Sequence, residues 1–265
     1  MSHADLAAHI DRHAYMNALA KKSPATKILF ALSTLLIGVL SPSPIVPIIV
    51  FLASAVLVLG FAKIPARFYR ELLLYPTIIA AVSCIIIALF FGFGEPFAEL
   101  ATPWFKLTIF KSGISTAVAT FFRVESGMSA TYFLVLTTSM TDILITLQKA
   151  RIPKILVEMS LLIYRYIFVF IEVTAKMQTA QKLRLGASGL IGRIRATALL
   201  AGNLFIRTLE QGERTFIAMS ARGYDGNIRV LEDQPQPGKI AIASIIIFDV
   251  ALILVALATI NLGVV

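Results

Sequence analysis

The sequence predicts an all-α, polytopic membrane protein: a helical bundle of about five spans, with further helices on the cytoplasmic side. Of its 265 residues, 58% are hydrophobic and only 15% are charged, and the mean hydropathy is +0.84. An ordinary soluble domain has roughly 45–50% apolar and about 25% charged residues. The charges are also uneven, because long uncharged runs alternate with basic stretches. This pattern is typical of helices that cross a lipid bilayer.

The first uncharged run covers residues 28–62, about 35 positions. A spanning helix needs roughly 20 apolar residues, so this run can hold two helices, the first of them short. Pro42, Pro44 and Pro47 lie between the halves. Because proline lacks an N–H and disfavours helix in the preceding residue, these prolines mark a turn. The run is therefore predicted to enter and leave the membrane as a helical hairpin.

Three more apolar runs complete the predicted bundle. Residues 72–93 form a third span, residues 113–140 a fourth and residues 240–265 a fifth. Residues 95–111 are polar and of mixed charge, as expected for an external loop, and residues 107–110 suggest a short extended piece within it.

Charge distribution sets the predicted orientation. Residues 141–239 carry 14 Lys and Arg against 8 Asp and Glu, which marks this stretch as cytoplasmic. The chain thus divides into residues 1–140 with four spans, the cytoplasmic residues 141–239 and the last span at 240–265. Asp5 and Asp11 argue against a cleavable signal peptide, so a cytoplasmic N-terminus in the inner cell membrane is expected. The net charge of +9 then reflects topology rather than nucleic-acid binding.

Residues 155–171 allow two interpretations. They are apolar enough to span, but Glu158, Arg165 and Glu172 recur at intervals of seven and so share one helix face. We expect an amphipathic helix near the inner membrane surface. The alternative, a sixth span, would reverse the last helix.

One local pattern occurs twice in the cytoplasmic stretch. Each copy has a helix-compatible run, an Ala four residues before an Arg, and a Gly that closes the helix. An Arg at a helix C-terminus is favoured by the macrodipole, and Gly accepts the left-handed cap conformation. Ordinary capping explains either copy alone, whereas the duplication favours two binding points. The residues are Ala180, Arg184 and Gly186 in the first copy, and Ala218, Ala221, Arg222 and Gly223 in the second.

The second copy carries a family resemblance. It reads Ala218-Met219-Ser220-Ala221-Arg222-Gly223-Tyr224-Asp225-Gly226, which resembles a signature of the transmembrane component of energy-coupling factor (ECF) transporters. Residues 180–186 resemble the first signature, although Leu183 and Leu185 replace its usual Ala and Gly. Further similarity to the cobalt-type CbiQ family lies at residues 10–15, 21–27, 136–139 and 162–166.

The resemblance implies a non-catalytic subunit of an importer. Such a subunit links a substrate-binding membrane subunit, here metal-specific, to two cytosolic ABC-type ATPase subunits. Arg184 and Arg222 would lie on its coupling helices, and ATP-driven closure of the ATPases would tilt the membrane partner. The amino-terminal resemblance implies cobalt, or nickel, as the substrate, and no cofactor is expected.

Three charged residues fall within predicted spans: Arg123, Glu125 and Asp249. Intramembrane charges are costly and usually paired, so we expect a structural ion pair between Arg123 and Asp249. A proton or ion relay is the alternative, and it would make the chain an ion-coupled secondary transporter. A conventional ABC permease and a membrane-embedded enzyme are the other rival classes.

The sequence offers little for catalysis or metal binding. It has no Gly-rich loop followed by Lys-Ser or Lys-Thr, and no spacing that places a Ser/His/Asp or Cys/His set on one face. His3, His9 and His13 lack the further ligands that would complete a metal site. We therefore predict no catalytic residues and no metal site.

Overall fold

The computed structural model describes residues 13–91, 96–102, 105–184, 189–226 and 235–261. It is an all-α membrane bundle, as predicted, with one short antiparallel strand pair. The helices are α1 (Pro24–Leu40), α2 (Ile45–Val56, continued by a π-helical turn Leu57–Phe61), α3 (Ala66–Phe90), α4 (Lys111–Thr137), α5 (Met140–Lys149), α6 (Lys154–Leu183), α7 (Gly189–Ala221) and α8 (Lys239–Asn261), and the strands are β1 (Pro96–Thr102) and β2 (Phe105–Phe110).

The chain forms two compact units. The first comprises Met1–Ile143 and Gln234–Val265, and the second comprises Leu144–Asp233. The side of the membrane that each segment faces remains a prediction.

The helical hairpin expected at residues 28–62 is present as α1 and α2. Pro24 occupies the first turn of α1, where its missing N–H costs nothing. The turn between the helices contains Pro42 and Pro44, and Pro47 lies in the first turn of α2. Each arm is 17 residues long, which is about 25 Å at 1.5 Å per residue and slightly less than a typical hydrocarbon core.

A polar contact between α3 and α4 compensates for a proline inside α3. Pro76 has no N–H to donate to the carbonyl of Leu72, four residues earlier. The Tyr132 hydroxyl of α4 donates to that Leu72 oxygen instead, at 3.1 Å. Backbone groups at membrane depth need internal partners, so this bond keeps the helix viable in lipid.

The main core of the first unit lies where α1, the end of α2, α3 and α4 meet. Phe30 and Phe133 pack edge to face with ring centroids 5.2 Å apart. The Tyr69 hydroxyl and Ser129 Oγ are hydrogen-bonded at 2.7 Å. A Cβ at Gly38 would lie 3.0 Å from Ser126 Oγ, so α1 and α4 approach each other closely.

Helices α3 and α8 expose apolar side chains, including Ile79, which is 68% exposed, and Ile247. Such continuous apolar surface is expected where a helix faces lipid. By length and composition, α3, α7 and Lys239–Thr259 of α8 are long and apolar enough to cross a membrane. The bent pair α4 and α5 makes a fourth candidate, and the two arms of the first hairpin are shorter apolar helices. A helix is therefore present at each of the five predicted spans.

Helix α6 agrees with the expectation that residues 155–171 do not span the membrane, whereas helix α7 differs from expectation. Among the described helices, α6 is not a candidate span, because Glu158, Arg165 and Glu172 interrupt its apolar run. This weighs against the alternative of a sixth span at residues 155–171. Helix α7, expected outside the membrane, is long and apolar enough to be a candidate span, with a mean hydropathy of 1.2 in its most apolar window. Its cytoplasmic placement remains a prediction from charge.

The three charges of α6 do not form one uniform face. Glu158 is buried, whereas Arg165 is exposed and the Glu172 side chain is 68% exposed. Glu172 pairs with Lys176 one helical turn later, with Oε1 and Nζ 2.6 Å apart. Glu158 has a different environment, described below.

Candidate functional site

Arg184 lies at the C-terminal end of α6, as the duplicated pattern predicts. It is the C-cap residue, and its backbone N–H donates to the Ala180 carbonyl at 3.2 Å. The residue is exposed. Carbonyls in the last helical turn lack intrahelical partners and carry partial negative charge, which favours a cation at this point. Gly186, predicted to close this helix, lies outside the described residues.

Arg222 follows the last residue of α7, Ala221, and caps it through a complete Schellman motif. Gly223 has φ +77°, the left-handed conformation that glycine adopts without strain. The Gly223 N–H donates to the Ser220 carbonyl at 3.1 Å, and the Tyr224 N–H donates to the Met219 carbonyl at 3.0 Å. These two bonds fix the chain direction after the helix, and therefore the position of Arg222.

Both arginine side chains are exposed, and neither forms a hydrogen bond or ion pair with another residue in the described parts of the chain. A guanidinium presents five donors in a planar fork that matches a carboxylate bidentately. Each helix end thus offers a cationic fork to an acidic partner group.

Helices α6 and α7 form an antiparallel hairpin, which the sequence analysis did not predict. The Tyr224 hydroxyl donates to Glu158 Oε2 at 3.1 Å at one end, and Gln181 Nε2 donates to the Ala196 carbonyl at 3.0 Å at the other. Tyr166 and Thr215 share a hydrogen bond between these ends. Two long helices separated by only five residues in sequence are a signal for this arrangement.

The hairpin separates the two arginines. Arg184 lies 26 residues after Glu158 along α6, whereas Arg222 is two residues from Tyr224, the partner of Glu158. At 1.5 Å per residue the two helix ends are roughly 40 Å apart. The duplicated motifs therefore lie at opposite ends of the α6–α7 hairpin.

Glu158 and Tyr224 connect the second arginine to the body of the hairpin. Glu158 is buried, and the phenol of Tyr224 reaches it from the residue two positions after Arg222. Desolvation, and then the Glu158 carboxylate, raise the pKa of Tyr224. The phenol consequently stays protonated and keeps its role as donor.

The expected ion pair between Arg123 and Asp249 is not formed. Arg123 Nε donates to the Ser41 carbonyl at 3.0 Å, and Nη2 donates to the Pro42 carbonyl at 3.3 Å. Asp249 of α8 instead has Ser33 of α1 as its polar neighbour. Ser33 and Ser41 are eight residues apart, about 12 Å along the helix axis. The two charges therefore lie at different depths, which composition alone does not reveal.

Glu125 lies within a polar patch of the first unit. It is buried, with the hydroxyls of Tyr69 and Tyr132 near enough to interact electrostatically. In the described part of the chain, its Oε1 and the Oδ1 of Asp249 have no hydrogen-bond partner.

Comparison with known proteins now decides the family. Residues 16–233 match the model of a family described as cobalt transport protein, CbiQ. The chain belongs to the CbiQ family. It is 35% identical to a putative fused cobalt transport protein CbiMQ of Methanocorpusculum labreanum, over 90% of this chain and 40% of that protein. It is also 28% identical to a cobalt transport protein CbiQ of Rhodobacter capsulatus, over 93% and 96% of the two chains.

A third relative links the CbiQ family to a wider class. The chain is 29% identical to an energy-coupling factor transporter transmembrane protein EcfT of Exiguobacterium sibiricum, over 82% of this chain and 84% of that protein. The predicted resemblance to the transmembrane component of ECF transporters, in its cobalt-type CbiQ form, is thereby confirmed. The chain is accordingly a multi-pass membrane transport protein, and its family is one of transporters rather than enzymes.

Two segments that carry the CbiQ resemblance meet in the structure. Lys27, at the end of segment 21–27, donates through Nζ to the carbonyl of Thr137 in segment 136–139, at 2.8 Å. The two residues are 110 positions apart. This contact was not predicted, because sequence similarity marks each segment without indicating which segments touch.

Metal coordination finds no support in the described residues of this CbiQ protein. They contain no group of three or more His, Cys, Asp or Glu side chains arranged to hold an ion. The groove between α6 and α7, about 300 Å³ in volume, has an apolar wall on α6 and the charged residues Arg207, Glu210 and Arg214 on α7. Two guanidiniums against one carboxylate leave a net positive charge, which disfavours a metal cation there.

Proposed function

We propose that this chain transmits ATP-driven motion from two cytosolic ATPase subunits to a substrate-binding membrane subunit, and that Arg184 and Arg222 are its ATPase contacts. The observation that carries the proposal is the pair of exposed arginines at opposite ends of the α6–α7 hairpin. A partner with two equivalent binding grooves, such as an ATPase dimer, fits two equivalent cationic ends roughly 40 Å apart.

The flanking residues complete each proposed contact. Ala180 and Ala221 add little side-chain bulk next to the arginines, so an ATPase groove can approach the helix end. Gly223 turns the chain away directly after Arg222, and in the first copy Gly186 follows Arg184 by two residues, with Leu185 between them. The second unit, residues 144–233, has 13 Lys and Arg against 7 Asp and Glu, which favours a partner with acidic grooves.

The proposed substrate is cobalt, or nickel, and the substrate-binding site is assigned to a separate membrane subunit. The family description names cobalt transport. The CbiMQ relative has its CbiQ-like region fused to a further part, as expected for a component that works with a second component. A cytoplasmic N-terminus in the inner membrane is part of the same proposal, because the basic stretch must face the ATPases.

Co-purification tests the arginine contacts. Arg184→Ala, Arg222→Ala and the double variant are compared with Arg214→Ala, an exposed arginine on the same hairpin that pairs with Glu210 at 3.6 Å. Truncating one partner of a desolvated charge pair costs about 2–5 kcal/mol, so each single variant should weaken ATPase binding at least tenfold. The double variant should lose the ATPases in detergent.

Two outcomes contradict the proposal. Full ATPase retention with normal cobalt uptake in the double variant removes the role of the arginines. Cobalt uptake by the isolated chain, driven by an ion gradient without ATPases, favours the secondary-transporter alternative based on Arg123, Glu125 and Asp249.

A further inference from the structure

The chain turns sharply between α4 and α5, at residues 136–140, here called the elbow. Helix α4 ends at Thr137, α5 begins at Met140, and the two helix axes differ by 97°. Thr137, Thr138 and Ser139 are all buried. The last carbonyls of α4 lack intrahelical partners, and buried carbonyls need donors from elsewhere.

Side chains from the N-terminal part of the chain supply these donors. Lys27 Nζ donates to the Thr137 carbonyl at 2.8 Å. Asn17 Nδ2 donates to the Ala14 and His13 carbonyls at 2.7 and 3.0 Å. It also lies 3.2 Å from the Leu136 carbonyl and 3.4 Å from the Thr137 carbonyl. Lys27 is only 5% exposed, and its charge interacts with the negative end of the α4 dipole and with the Asp142 carboxylate of α5.

The other side of the elbow is fixed as well. The Asp142 N–H donates to Ser139 Oγ at 3.2 Å, and the Ser139 hydroxyl donates to Asp142 Oδ2 at 2.8 Å, which caps the start of α5. The Tyr15 hydroxyl and Thr141 Oγ1 are hydrogen-bonded at 3.2 Å. Tyr15, Asn17 and Lys27 thus contact both sides of the break, and we call them the clasp.

The position of the clasp gives it a mechanical consequence. Helix α5 leads the chain from the first compact unit into the second, because the boundary lies between Ile143 and Leu144. Of the two covalent links between the units, α5 is the one that leads to α4. If the angle between α4 and α5 can change, α5 can rotate without moving α4. If that angle is fixed, the two helices move together.

We propose that Lys27 and Asn17 are positioning residues that hold the elbow at one angle, and that this fixed angle converts ATPase motion into transport. The inference rests on the proposed function, since it concerns the path of force after the ATPases have bound. Lys27 acts through the backbone of α4 and contacts neither substrate nor ATPase. Its loss should therefore uncouple ATP hydrolysis from uptake without releasing the ATPases.

The test uses the complete complex of this chain, its ATPases and its substrate-binding subunit in liposomes. Lys27→Met retains the length of the side chain and removes the donor, and Lys22→Met is the matched control because Lys22 is exposed. A hydrogen bond from a charged group changes a conformational equilibrium about tenfold or more. Cobalt uptake per ATP hydrolysed should fall by about that factor in Lys27→Met, with ATPase co-purification unchanged. Asn17→Leu should shift the ratio in the same direction.

Two results overturn the proposal: an unchanged uptake-to-hydrolysis ratio in Lys27→Met, and loss of the ATPases together with uptake, which indicates a general structural role. Failure of the proposed function is distinguishable, because it appears as normal ATPase binding in the double arginine variant.

Spin labels at Val118→Cys and Ala150→Cys, with Cys84→Ser, give a second measurement. Their distance distribution should broaden in Lys27→Met but not in Lys22→Met, and an unchanged width contradicts a fixed-angle role.

Discussion

Arg123 should stabilise the first unit through backbone contacts and not through Asp249. Its guanidinium donates to the carbonyls of Ser41 and Pro42, at 3.0 and 3.3 Å, where the chain leaves α1. Arg123→Met keeps the apolar stem and removes both bonds. A hydrogen bond from a charged group contributes about 1.5–3 kcal/mol, and the longer bond contributes less, so the loss should total about 2–4 kcal/mol. At about 2–4 °C per kcal/mol, Tm should fall by roughly 5–15 °C.

A double-mutant cycle with Asp249→Asn separates this account from the ion pair that the sequence suggested. Because the two groups contact parts of α1 about 12 Å apart, their effects should add within about 0.5 kcal/mol. An ion pair in lipid predicts coupling of several kcal/mol. Unfolding in detergent, followed by circular dichroism at 222 nm, measures all four proteins.

Arg70→Met is the control for the cycle, because Arg70 is exposed on α3 and its loss should change Tm little. The reasoning is refuted by coupling above about 2 kcal/mol between Arg123 and Asp249, which indicates direct contact. An unchanged Tm in Arg123→Met refutes it equally.

Two further predictions concern packing and the hairpin. Gly113→Ala places a Cβ 2.7 Å from the Phe91 carbonyl oxygen and 3.1 Å from that of Ala88, so it should destabilise the protein by about 1–3 kcal/mol. In Gly127→Ala, in the same helix, the added Cβ meets only Val39 Cγ2, at 3.9 Å, so this substitution should be neutral or stabilising. An equal loss of unfolding free energy in both variants contradicts the account. The distance between spin labels at Leu183→Cys and Ala221→Cys, with Cys84→Ser, should be roughly 40 Å by pulsed electron paramagnetic resonance. A separation below about 25 Å excludes the antiparallel hairpin.

The membrane helices followed from local properties of the sequence. Uncharged runs located them, and Pro42, Pro44 and Pro47 indicated the turn between α1 and α2. Helix ends at Arg184 and Arg222 were likewise predictable, since Gly223 and the preceding helix-forming residues determine the cap locally. Residues 107–110 were correctly expected to be extended, within β2.

The unpredicted features depend on how distant segments align. Arg123 and Asp249 were paired because both lie in spans, yet hydropathy gives no relative depth of two helices. The contact of Lys27 with Thr137 joins residues 110 positions apart. Tyr132 of α4 donates to the Leu72 carbonyl of α3, which has no backbone donor because Pro76 lacks an N–H. Such partners are determined by tertiary packing, which periodicity does not encode.

Crosslinking at the two helix ends tests the central claim most directly. A photoreactive amino acid is placed at Leu183 or Ala221, both exposed and each adjacent to one arginine, and at Ile79, exposed on α3, as the control. In membranes containing the assembled complex, positions 183 and 221 should each form an adduct with an ATPase subunit, and position 79 should form none. ATPase adducts absent from both 183 and 221, in a complex that still imports cobalt, contradict the claim that force enters through these ends.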